Sequence, residues 1–228
     1  MSYGLLCSGN NGQVLIDSNN SVLHVVVEGN YSGTPIDAGN HVITVTYPAV
    51  ITSQLPPVVF VNPDGQGTYI YFSHVGASGN WTGFKVYVGY YSDVGGGLSS
   101  SGKYCACIVY PQAKTGYGMQ IRDENGRLIF DSNYKIINFM GGAQSWNFSY
   151  AIDLTFIFRL YVYSLPWTYG RLGYFMVSAL AQAFFYSGVE MAASIGFSDA
   201  NRSSITAIVG GLPGAVPTMN WPLIAATP

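Results

Sequence analysis

The sequence predicts an all-β protein, an antiparallel β-sandwich of jelly-roll type, and three observations carry that expectation. Runs rich in β-branched and aromatic residues recur along the chain, turn residues part them about every 8–15 residues, and two Asn-Gly pairs each lie between apolar runs. Charged residues make up only 9% of the chain, against about 25% in an average soluble domain.

In chain order the first element is a hairpin. Tyr3-Gly4-Leu5-Leu6-Cys7 and Val14-Leu15-Ile16 flank Asn11-Gly12, and Asp17-Ser18 follow. Asn-Gly suits a type I′ turn, which needs positive φ at both central residues, and the pairing sets Cys7 opposite Ile16. Next come His41–Tyr47, Val58–Val61, Thr68–Phe72, Phe84–Val88 and Lys103–Tyr110. Each reads as a strand, parted from its neighbours by Pro56-Pro57, Pro63-Asp64-Gly65, Gly76–Gly79 and Gly95-Gly96-Gly97.

The hairpin then returns. Tyr117-Gly118-Met119-Gln120-Ile121, Asn125-Gly126, Leu128-Ile129-Phe130 and Asp131-Ser132 repeat the opening segment at a constant offset of 114, with no gap. The likeness extends through Val22/Ile136 and Leu23/Ile137. It divides the chain into 1–113 and 114–228, two β-rich domains that each open on a hairpin. With Asn125-Gly126 as the turn, Glu124 faces Arg127 and Ile121 faces Phe130, and Met119, Ile121, Leu128 and Phe130 share one face. Asp17-Ser18 and Asp131-Ser132 are expected to bond nearby backbone amides where the chain leaves the sheet, rather than to act as catalytic or metal-binding groups.

Leu154–Tyr163 reads as one strong strand, ended by Pro166. Residues 174–186 read as strands, with a single helix around Ala179–Ala183 as the alternative. Prolines 213, 217, 222 and 228 make the tail from Gly210 extended, lying on the domain surface or on a neighbour.

Composition excludes several classes. A chain that is 49% hydrophobic with a net charge of −2 is not disordered. Nine dispersed Lys and Arg make no basic stripe, so nucleic acid is not an expected partner. The N-terminus lacks a basic region followed by an apolar run, so no secretory leader is expected. Leu172–Val189 is 18 residues without a charge, the length of a spanning helix. The interval between Asp64 and Lys85 is equally uncharged and reads as strands and turns, so no membrane span is expected. With 18 Tyr, 12 Phe and so few charges, the faces of this protein are expected to be covered by neighbours, copies of itself among them.

No reaction centre can be assembled from these residues. Cys105 and Cys107 lie on one face of a strand, a poor arrangement for a disulfide and not a zinc spacing, and with Cys7 they read as small apolar core residues. His24, His41 and His74 have no metal-ligand spacing, and the glycines of Val94–Gly102 lack the Lys and helix of a phosphate cradle. Neither enzyme activity, a metal nor a cofactor is expected.

The two segments Tyr3-Gly4-Leu5 to Asp17-Ser18 and Tyr117-Gly118-Met119 to Asp131-Ser132 resemble a motif of small tail proteins of tailed bacteriophages. Those proteins open on a Tyr-Gly-Leu strand, a polar turn ending in Gly, and an apolar strand closing on Asp-Ser or Asp-Thr. Met119 departs from the pattern conservatively, and the likeness covers the hairpins alone, about 35 residues. It implies a structural component of the virion, made in the host cytoplasm and built into the tail at its tip, baseplate or fibre attachment point. Its partners would be copies of itself and neighbouring virion proteins, and no catalytic residues come with the likeness. The alternative function is a carbohydrate-binding β-sandwich, with Trp81, Trp146, Trp167 and Trp221 as candidates to face a host-surface glycan.

Overall fold

The structure, a computed structural model, describes residues 6–8, 14–17, 21–37, 39–89, 98–156, 158–181, 184–186, 189–191, 193–214, 216 and 218–228. For 6–8, 14–17, 181, 184–186 and 189–191 it describes the backbone alone. The fold is an all-β sandwich of antiparallel strands. The first half contributes β1 (Leu6–Ser8), β2 (Val14–Asp17), β3 (His24–Ser32), β4 (Thr34–Pro35), β5 (Asn40–Ile51), β6 (Val58–Pro63), β7 (Gly67–Ala77), β8 (Asn80–Gly89) and β9 (Ser101–Ile108). The second half contributes β10 (Gln120–Arg122), β11 (Leu128–Asp131), β12 (Lys135–Ile136), β13 (Asn138–Ala143), β14 (Asn147–Thr155), β15 (Phe158–Pro166) and β16 (Tyr174–Met176). It continues through β17 (Phe184–Tyr186), β18 (Val189–Met191), β19 (Ala193–Phe197), β20 (Ser204–Gly211) and β21 (Leu223–Thr227). No helix among the described residues is long and apolar enough to cross a membrane.

Two large sheets share one core. Their strand orders are β12-β3-β9-β6-β16-β21-β13 and β14-β15-β20-β19-β7-β8-β5-β4. Alternation sends Val59, Val61, Tyr104 and Ala106 of the first sheet toward Ile43, Val45, Phe84 and Val86 of the second. The Tyr31 and Tyr69 hydroxyls meet across that core at 2.6 Å, so these two buried polar groups satisfy each other.

The repeat seen in the hairpins governs the whole fold. Reading inward from its rim, the eight-stranded sheet is β4-β5-β8-β7 in one half and β14-β15-β20-β19 in the other. The seven-stranded sheet is likewise β3-β9-β6 against β13-β21-β16. Even an irregularity recurs. β3 bulges between Val25 and Val27 opposite Cys107 and Ala106, and β13 bulges between Phe139 and Gly141 opposite Ala226 and Ala225. Following these registers, Phe60 corresponds to Met176, and the two pair directly with each other. Leu23 corresponds to Ile137, and the Ile137 amide donates to the Leu23 carbonyl at 3.0 Å. A pseudo-twofold axis therefore passes through both pairs. Halves 1–113 and 114–228 both supply strands to both sheets, with β6–β16 and β7–β19 as the seams.

The seven-stranded sheet also curls round on itself. Residues 135–143 begin beside β3 and end beside β21, so the strands at the two ends of the order, β12 and β13, are parted only by Ile137 in the chain. The face turned away from the other sheet encloses a second core of Val25, Phe60, Cys105, Cys107, Ile137 and Ala226. Cys105 and Cys107 are buried free thiols there. Across the axis they correspond in position to Ile224 and Ala226.

Several expectations need correction. The hairpin β10–β11 keeps Ile121 opposite Phe130, but Arg122 pairs with Leu128. Asp123, not Glu124, closes the loop against Arg127, its amide donating to the Arg127 carbonyl at 2.9 Å. The loop is thus the three residues Glu124-Asn125-Gly126, a type I turn with Gly126 alone at positive φ (77°). Met119 lies outside the ladder and is exposed, while all of β11 is buried. The equivalent strands β1 and β2 pair Cys7 with Ile16 as anticipated; Tyr3, Gly4, Asn11, Gly12 and Ser18 lie outside the described residues. Leu154–Tyr163 is two strands, because the chain turns at Phe156. Residues 174–186 hold strands and a 3-10 turn at Ser178–Ala181 instead of the alternative helix. The tail does not stay on the surface: β21 lies between β16 and β13, where Ala225 and Ala226 are fully buried.

A Cβ at Gly126 would meet nothing within 4 Å, so its φ is the whole constraint. Gly126→Ala is expected to cost about 1 kcal/mol, read as a shift in the urea midpoint with an unchanged slope.

Candidate functional site: an open rim and a groove

The two rims of the eight-stranded sheet differ. β4 is two residues long and ends in Pro35, which has no N–H to offer a further strand. Its counterpart β14 is nine residues long and exposed over nearly its whole length. Phe148, Tyr150 and Leu154 on β14 are 44%, 41% and 42% exposed, Phe156 at the hairpin tip 92%, and Phe158 beyond it 41%. Phe139 and Met140 on β13 are exposed as well.

Charge is nearly absent there. Asp153 and Arg159 are the only charged residues between Gln144 and Gly170. They neutralise each other at 2.6 Å, and the Arg159 hydrogen bond holds the Asp153 carboxyl below its ordinary value. Depletion of charge with enrichment of aromatic residues is the composition of a protein contact core. Reading Leu154–Tyr163 as one unbroken strand concealed this surface. The signal was present, since an apolar run of that length must bend if the sheet is short, but no Gly, Pro, Asn or Asp marks the bend.

The second feature is a groove of about 600 Å3 at the opposite end of the sheet, between Val26–Val27 and Ala49–Leu55. That volume lies in the range of ligand pockets. Val50 and Leu55 stand half exposed along it, and Tyr110 also lines it. Tyr110 has φ of 53°, a conformation rare for a bulky residue. The Arg127 guanidinium sits 4.5 Å from the centre of its ring, and the Arg127 Nε donates to Asp123 at 2.6 Å.

The second hairpin is pinned by two carboxylates. Asp123 accepts from the Asn125 amide at 2.9 Å and the Arg127 amide at 2.8 Å, which sets the length of the loop. Asp131 is fully buried. It accepts from the Lys114 amide and Gln120 Nε2, both at 3.0 Å, and from the Asn133 amide and Nδ2 at 2.9 and 3.0 Å. Burial pushes its carboxyl up, but these donors outweigh that and leave it below the ordinary carboxylate range. The Asp131 amide donates to His24 Nε2 at 3.3 Å. His24 is fully buried, and burial lowers its pKa, consistent with a neutral ring that can accept at Nε2.

The other hairpin-motif residues hold the chain rather than form a cleft. Tyr117 is fully exposed, and a Cβ at Gly118 would press on the Ser132 hydroxyl. Ser132 Oγ accepts from the Met119 amide at 2.9 Å. Of the candidate sugar-facing residues, Trp146, Trp167 and Trp221 are buried, and half-buried Trp81 donates to the Ser53 carbonyl. Among the described residues no group of three or more His, Cys, Asp and Glu could hold a metal ion. No family model, curated protein or solved structure matches the chain.

Proposed function

We propose that this protein is a structural subunit that works through contacts with other subunits, and that its assembly is the tail of a bacteriophage virion. The observation that supports the assembly reading is the β14 rim: nine residues of exposed, nearly charge-free edge strand bearing aromatic rings on a chain whose opposite rim is blunted by proline. Monomeric proteins protect such edges with charge, proline or a covering segment. The virion setting comes from the resemblance of the hairpins alone.

The purified chain is expected to sediment as a species several times its 24.5 kDa mass. Phe148→Lys combined with Leu154→Lys puts two like charges on the rim and is expected to leave a folded monomer. A wild-type chain that stays monomeric at 100 micromolar would remove the reading. The virion setting is tested separately, by immunogold labelling of purified phage particles, where label confined to one position on the tail is the expected result.

A further inference from the structure

We propose that the groove beside Val26–Val27 receives the β14–β15 hairpin tip of a second copy of this chain, so that subunits join by a contact between unlike surfaces. This rests on the assembly reading and adds which surface meets which.

The internal repeat shows what chemistry fits the groove. β5 and β15 start at Asn40 and Phe158, and each reaches a proline, Pro48 and Pro166, at the same position. Ala49 and Ile51 therefore correspond to Trp167 and Tyr169. In the second half, Trp167 is buried with its ring 5.2 Å from that of Phe197. Tyr169 lies so close over Gly141 that a Cβ there would strike its hydroxyl. Gly141 is the counterpart of Val27. The second half thus fills this position with two aromatic rings of its own. The first half has Ala49 and Ile51 in their place and an open groove of about 600 Å3.

The chain also carries an aromatic group with nowhere to go. Phe156 is 92% exposed at the hairpin tip, between Leu154 and Phe158. It cannot enter the groove of its own chain, because β14 and β5 are six strand spacings apart in the sheet, roughly 29 Å. A second copy is required. The area is sufficient when β14 lies along the partner behind the tip: at about 200 Å2 per ring, the exposed parts of Phe148, Tyr150, Phe156 and Phe158 offer roughly 440 Å2. A stable interface of about 800 Å2 per partner, a little over half of it apolar, needs about that much. Because tip and groove are different patches, the contact repeats from copy to copy and builds a ring or a filament.

The test uses two variants of the full chain in sedimentation, with thermal melts to check folding. Phe156→Ser removes the tip and Val50→Asp spoils the groove, with Leu55→Asp as a second groove variant at another exposed position. Each alone is expected to weaken association about thirty-fold, as loss of a central aromatic anchor does. Mixed in equal amounts, the tip and groove variants are expected to form a dimer that grows no further, since one sound tip and one sound groove remain. Groove variants that assemble like wild type, or a mixture that forms no dimer, would overturn the proposal. If Phe148→Lys with Leu154→Lys still dissociates the assembly in that case, the subunit reading stands; if it does not, both fall.

Discussion

Gly196→Ala is expected to destabilise the protein by about 3 kcal/mol, lowering the melting temperature by about 10 °C. Gly196 lies in β19 opposite Thr68 of β7, at the seam where the two halves of the eight-stranded sheet meet. A Cβ at this position would run into the Gly67 carbonyl, and a backbone oxygen cannot swing aside as a side-chain end can. Relief requires β7 and β19 to part, which opens the core between Tyr69 and Ile195. Gly214→Ala is the control, since a Cβ at Gly214 meets nothing within 4 Å, and it is expected to change stability by no more than about 0.5 kcal/mol. A melt in which the two variants behave alike would remove the steric account of the seam.

Asp131→Ala is expected to cost about 3 kcal/mol, because it leaves the Lys114 and Asn133 amides and the Gln120 amide group without the charged acceptor they share. Asp131, His24 beside it and the separate His74 of β7 set an acid response in two steps. His24 and His74 both have pKa values lowered by burial. Below about pH 6.5 the unfolded chain takes up protons at both that the folded chain refuses. The stability they contribute is therefore present above that pH and is lost as pH falls toward the lowered folded values. Asp131 acts lower down. Its contribution is present above about pH 3.9 and is lost as pH falls through its depressed folded value. Urea midpoints at pH 7.5, 5.5 and 3.5 are expected to fall at each step. His24→Gln, which keeps an acceptor for the Asp131 amide, is expected to shrink the first drop and leave the second. An unchanged first drop would assign it to other groups.

β5 to β9 were legible because each holds a run of β-branched and aromatic residues closed by Pro or Gly, whereas β3 and β4 were not read as strands. His41–Tyr47 and Phe84–Val88 lie within β5 and β8, which pair with Val45 opposite Phe84. What misled was local. An Asn-Gly pair suggests a two-residue turn, but the Asp123 carboxylate gathers the Asn125 and Arg127 amides and lengthens the loop by one. β21 escaped notice because Leu223-Ile224-Ala225-Ala226-Thr227 is only five residues long and preceded by Pro222, yet it sits inside the sheet with Ala225 and Ala226 fully buried. The repeat was visible in 3–23 and 117–137 and invisible beyond, since Cys105 and Cys107 share position but no resemblance with Ile224 and Ala226. Register preserves a relationship that side chains have lost. The candidate contact surface was the least legible, because burial is not written in an apolar run: Phe156 and Phe60 are the same residue type, one bare and one enclosed.

The axis through Leu23–Ile137 and Phe60–Met176 has a consequence for how such a protein can acquire direction. In a dimer of identical chains every substitution appears at both ends, so the object reads the same from front and back. Fusing the copies in tandem releases that constraint. Proline could seal one end while phenylalanine was laid bare at the other, giving an arrow to a body whose interior still has none.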